Sequence, residues 1–84
     1  MAHRIELRPA AVEALSQVDP SHQARIKAVI SLLAIDPQPL GAVSLRWREA
    51  LRVEVGDYRI IYTAQDGVLL VVVVTAGHHH GAYQ

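Results

Sequence analysis

The sequence predicts one α+β domain spanning residues 1–84, in the order β-α-α-β-β-β, with a helical hairpin packed on a small, mainly antiparallel sheet. Three observations predict it. Apolar residues recur twice at helical spacing between Pro9 and Ile35, and from Leu51 the period changes to two. Turn residues at Gly56-Asp57 and Gln65-Asp66-Gly67 then divide the remaining chain into strands.

Taken in order, His3 to Leu7 alternates polar and apolar, with Ile5 and Leu7 on one side, and reads as a short first strand. Pro9 suits a first helical turn, where its missing N–H is not needed. Val12, Leu15 and Val18 then form one stripe on a short helix. Asp19 as N-cap and Pro20 at the first helical position start a second helix, in which Ile26, Val29, Ile30 and Leu33 follow the i, i+3, i+4, i+7 pattern. Asp36-Pro37-Gln38-Pro39 ends it, because proline removes donors and forces the preceding backbone to extend.

A loop is expected from Leu40 to Trp47. Leu51, Val53 and Val55 then alternate with Arg52 and Glu54, the pattern of a strand with one buried and one solvated face. Gly56-Asp57 makes a tight hairpin, after which Tyr58, Ile60 and Tyr62 share one face and Arg59, Ile61 and Thr63 the other. Val68 to Ala76 is apolar apart from Thr75. It suits a central strand covered on both sides, or one beneath a substrate cleft. At nine residues it is far short of the roughly 20 that a membrane helix needs, so no membrane partner is expected.

Composition narrows the functional classes. A chain of 84 residues buries only about 60–65% of its unfolded surface. Without cysteine there is neither a disulfide framework nor a thiolate metal site, and Met1-Ala2-His3-Arg4 does not resemble an apolar secretion leader. The cytoplasm is the expected location. Eight basic and eight acidic residues leave no net field toward polyanions, so contact with nucleic acid must be local. From Arg46 to Arg59, four arginines face Glu49, Glu54 and Asp57, a surplus of one.

Leu45-Arg46, the segment Leu51 to Tyr62 with its Gly-Asp-Tyr-Arg-x-x-Tyr hairpin, and the closing Gly77-His78 followed by Tyr83 resemble the RelE/ParE toxin superfamily over nearly the whole chain. The tail is more similar to the RelE branch. The resemblance implies a RelE-like fold and the toxin of a type II toxin–antitoxin system that cuts messenger RNA in the ribosomal A site. It also implies a cognate RelB-like antitoxin, with operator DNA bound only through the antitoxin complex. The implied reaction is attack of the ribose 2′-hydroxyl on the adjacent phosphate, which requires a proton acceptor, positive charge and a proton donor but no cofactor or metal.

Residue by residue, the resemblance makes Arg59 the contact to the scissile phosphate; otherwise Arg59 is a solvated strand arginine. Arg52 holds the RNA backbone and Arg46 matches the arginine of the family's Lys-Leu-Arg-Gly motif, or anchors the loop. Arg48 lies in the same basic stretch and is taken as a further RNA contact. Tyr83 stacks on a base or orients the nucleotide, unless it only packs the tail. His79 stands where the family usually has arginine, and its reference pKa of about 6.5 suits a proton-transfer role. Glu54 replaces a basic residue of many relatives. About 7 Å from Arg52 along the strand, it can pair with that arginine or accept the 2′-hydroxyl proton.

His78, His79 and His80 do not argue for a metal, because an extended tail sends alternate side chains to opposite sides and no cysteine completes a set. Trp47 either packs under the loop or stacks on a base or on antitoxin. Two other functional classes stay open: a ParE-like gyrase inhibitor, and a weakened toxin retained as an antitoxin-binding or corepressor module.

Overall fold

The computed structural model describes residues 2–39, 42–44 and 50–76. Strand β1 (Arg4–Leu7) leads into helix α1 (Pro9–Ser16) and helix α2 (Pro20–Ile35). Strands β2 (Val43–Ser44), β3 (Leu51–Val55), β4 (Tyr58–Gln65) and β5 (Val68–Ala76) follow. They form one sheet in the order β1-β5-β4-β3-β2, antiparallel except for β1 beside β5. The expected α+β architecture is observed, with one added strand. The two residues of β2 fall in the stretch read as loop, and Val43 opposite Arg52 with Ser44 opposite Leu51 is too short a pairing to leave a period in the sequence.

Both helices bury their apolar sides against one face of the sheet. Ile26, Ile30 and Leu33 of α2 join Val55, Ile60, Tyr62, Leu69, Val71 and Val74 in a single cluster. Burial of each large aliphatic side chain contributes about 1.5–3 kcal/mol. In α1 the expected stripe is rotated: Ala11 and Leu15 are buried, whereas Val12 is 53% exposed. The small side chain of Ala11 is the one turned inward where α1 packs on β5, and Val12 lies about 100° further round the helix. Val18 is buried just beyond the helix, its N–H bonded to the Leu15 carbonyl.

The two helices are joined by Gln17, Val18 and Asp19, and the Gln23 side-chain amide donates to the Leu15 carbonyl at the end of α1. Asp19 occupies the N-cap position of α2 but makes no side-chain cap bond; its Oδ2 instead accepts from the Ser21 hydroxyl at 3.2 Å. Beyond α2, the Tyr62 hydroxyl donates to the Pro37 carbonyl at 2.5 Å, fastening the proline segment to β4.

Two tight turns set the registers. Gly56 has φ +59°, so Val55 faces Tyr58 and Glu54 faces Arg59. Asp66 and Gly67 both have positive φ, the requirement of a type I′ hairpin. Between β4 and β5 the pairing jumps from Ile61–Val73 to Tyr62–Val71, leaving Val72 as the extra residue of a bulge. The interior positions of β5 therefore change parity, from Leu69 and Val71 to Val74.

Candidate functional site on the helix-free face of the sheet

The pleat that sends Val53, Val55, Ile60 and Tyr62 toward the helices sends Arg52, Glu54 and Arg59 to the opposite face. Glu54 and Arg59 are direct cross-strand partners, and Thr75 of β5 lies opposite Arg59 on its other side. A carboxylate, a guanidinium and a hydroxyl thus form one row across three strands, with neighbouring Cβ atoms about 4.5–5.5 Å apart.

Arg59 Nε donates to Glu54 Oε2 at 3.1 Å. The Arg59 side chain is 19% exposed and that of Glu54 50% exposed, so solvent screens the pair and its net contribution to stability is only about 0.2–1 kcal/mol. Its chemical consequence is larger. The hydrogen bond holds the guanidinium plane in place, while the carboxylate offsets the charge that an incoming phosphate would meet. Arg52 lies in the next row, opposite Ile61, and among the described residues makes no ion pair.

Of the residues singled out from sequence, the structure brings Glu54 and Arg59 together and places Arg52 one row away on the same face. Glu54 pairs with Arg59 rather than with Arg52, the partner its position along the strand suggested. Arg46, Arg48, His79 and Tyr83 lie outside the described residues, as do Trp47, His78 and His80. Their segments adjoin Ser44, Ala50 and Ala76 along the chain.

Thr75 is the member of the row that the sequence reading passed over as an interruption. The available signal was that it is the sole hydroxyl in an otherwise apolar run. Among the described residues no three metal-ligating side chains cluster. His22, with Nδ1 3.4 Å from Asp19 Oδ2 and its ring tilted 5.5 Å from that of Tyr58, lies between the helix layer and the helix side of the sheet, away from the charged row.

Residues 5–83 match the family described as ParE toxin of type II toxin–antitoxin system, parDE. The chain belongs to the RelE/ParE toxin superfamily. Three solved structures show how fully this toxin shares the fold. A chain of the archaeal RelE–RelB complex from Pyrococcus horikoshii superimposes with a TM-score of 0.84 at 23% identity, covering 95% of this toxin and 100% of that chain. The isolated RelE toxin of E. coli gives 0.83 at 14% identity, covering 98% and 92%. A chain of the RelBE2 complex from Mycobacterium tuberculosis gives 0.76 at 17% identity, covering 90% and 99%. At such identities the likeness is one of fold. A search of curated protein sequences finds no significant match. Among the described residues, no helix of the toxin is long and apolar enough to cross a membrane.

Proposed function

We propose that this toxin is a ribosome-dependent messenger RNA endonuclease that inhibits translation by cutting in the A site. The carrying observation is the Glu54–Arg59 pair set beside Arg52 on the sheet face that points away from α1 and α2. A phosphodiester laid on that face meets a guanidinium already held in orientation, able to give two parallel charged hydrogen bonds. Those bonds strengthen as negative charge grows on the non-bridging oxygens.

In the reaction, the 2′-hydroxyl loses its proton as its oxygen bonds to phosphorus, and the bond from phosphorus to the 5′-oxygen breaks. A 2′,3′-cyclic phosphate and a protonated 5′-hydroxyl result. Glu54 accepts the first proton through Oε1, which has no hydrogen-bond partner among the described residues. His79 gives a proton to the leaving oxygen and Tyr83 orients the nucleotide by stacking. Arg46, Arg48 and Arg52 hold the flanking backbone. The chemistry needs no metal or cofactor. Because the ribosome presents the message, a toxin of zero net charge need not capture RNA unaided. The site of action is then the cytoplasm. A RelB-like antitoxin is the partner that silences it, and operator DNA is reached only through that complex.

A second reading has its own support, because the matched family is described as ParE of a parDE system. Under it the toxin is a gyrase inhibitor. Inducing the chain in bacteria and mapping message ends separates the two. Breaks within codons that vanish in Arg59→Ala establish the nuclease, and a DNA-damage response without such breaks establishes the gyrase inhibitor. Harmless expression of the folded chain means that histidine at position 79 has left a toxin too weak to cut.

A further inference from the structure

We propose that the Thr75 hydroxyl is a further contact to the scissile phosphate, donating to a non-bridging oxygen of the group that Arg59 grips; the inference rests on the nuclease reading and adds a donor to it. Its first support is register. Counted from the Asp66-Gly67 turn, an unbroken ladder would run on from Tyr62–Val71 to Ile61–Val72 and Arg59–Val74, and would leave Thr75 opposite Tyr58 on the helix side. The extra residue at Val72 advances every later partner by one, so Thr75 faces Arg59 on the charged side instead. A valine in that place would offer the phosphate no hydrogen bond. The bulge thus brings the sole hydroxyl of β5 to the row that holds the charged pair.

The side chain is suited to donate. Thr75 is exposed, and its hydroxyl makes no hydrogen bond among the described residues. Branching at Cβ restricts the side chain to few rotamers, so little entropy is lost when the hydroxyl is fixed on a ligand. With the Cβ atoms of cross-strand neighbours about 4.5–5.5 Å apart, one phosphate group can accept from the guanidinium and from the hydroxyl through its two non-bridging oxygens.

Neutrality matters in this row. Glu54 holds Arg59 through Nε at 3.1 Å, and a second cation opposite Arg59 would repel it directly across the strands. A hydroxyl supplies a hydrogen bond with no such repulsion and leaves the Glu54–Arg59 pairing undisturbed. It keeps its proton throughout the reaction, and its bond strengthens as the phosphate oxygen gains charge. Glu54 and Thr75 flank Arg59 on opposite sides, so proton acceptance and this phosphate contact fall to different strands.

Paired substitutions separate a donor from a residue that only shapes the strand. The full chain cuts a synthetic message on ribosomes at saturating toxin, and the single-turnover rate is read. Thr75→Val keeps the shape and the β-branch but removes the hydroxyl, and should slow cutting about tenfold. Thr75→Ser keeps the hydroxyl and should stay within about twofold of the native rate. A message whose scissile phosphate carries sulfur in place of one non-bridging oxygen gives a second readout, because sulfur is a weak acceptor. With one diastereomer the native chain should lose its advantage over Thr75→Val, and with the other the gap should persist. Thr75→Val cutting as fast as the native chain, Thr75→Ser as slow as Thr75→Val, or a gap that persists with both diastereomers would each overturn the contact and leave the nuclease standing. A native chain that cuts no message overturns nuclease and contact together.

Discussion

The two faces of this sheet are built from the same strands and do opposite work. Toward the helices, Ile60, Tyr62, Leu69 and Val71 are fully buried, and among the described residues no charged side chain joins them. Away from the helices, the neighbouring residues Arg59, Ile61 and Leu70 are only partly covered, and the Glu54 side chain is half exposed. The contrast teaches that the core and the charged row are separated here by one residue of register. A one-residue slip of β4 would bury Arg59 and expose Tyr62, so the Gly56 and Asp66-Gly67 turns hold the proposed site as well as the fold.

Adjacent residues of β5 provide the largest test of that separation. Leu69→Ala should cost about 2–5 kcal/mol, a large share of a small domain's stability, and be seen as a loss in urea midpoint. Leu70→Ala, on the other face, should cost under about 1 kcal/mol. Equal costs would mean that the helix-free face is covered as thoroughly as the core. Arg59→Ala reverses the pattern. It should lower ribosome-dependent cleavage about 10²–10³-fold, the usual effect of removing a donor to transition-state charge. Its unfolding free energy should shift by no more than about 1 kcal/mol. A destabilised Arg59→Ala with undiminished cleavage would make that arginine a strap of the hairpin instead of a reactive group.

The same contrast explains what could be read from the sequence. Alternation in Leu51 to Val55 and the two-residue Gly56-Asp57 turn are local patterns, and together they specify the Glu54–Arg59 pairing. That pairing was legible, yet proximity along β3 drew attention to Arg52. In β5 nearly every residue is apolar, so neither alternation nor face can be recognised and the bulge at Val72 leaves no mark. Val12 and Ala11 differ by 100° of helix rotation, which depends on how closely α1 approaches β5 and not on hydrophobicity. A two-residue strand such as β2 has no period at all, and only its partner reveals it.

Glu54→Gln sharpens the comparison within the charged face. Glutamine keeps an oxygen for Arg59 Nε but loses the basicity needed to take a proton. If Glu54 receives the 2′-hydroxyl proton, single-turnover cleavage on the ribosome should fall about 10²-fold or more with little change in stability. Cleavage that is unchanged or faster would remove Glu54 from the reaction and leave it as the counter-charge that a phosphate displaces from Arg59.

The smallest effect belongs to the buried face, where the Tyr62 hydroxyl donates a hydrogen bond to the Pro37 carbonyl. Tyr62→Phe should cost about 1 kcal/mol, because the hydrogen bond to the Pro37 carbonyl is lost while the ring still fills its space. Burial, and secondarily the negative charge of Asp36, hold the Tyr62 phenol above its ordinary pKa of 10.0. A raised phenol pKa means that the folded state keeps the proton longer than the unfolded state. The stabilisation is therefore complete below pH about 10 and is lost as pH rises beyond it through the folded value. Urea unfolding at neutral pH and at about pH 11 should show the native protein losing more stability than Tyr62→Phe. Parallel losses would mean that the phenolate is accommodated at the Pro37 contact, and that the helix side of the sheet tolerates charge better than its apolar composition implies.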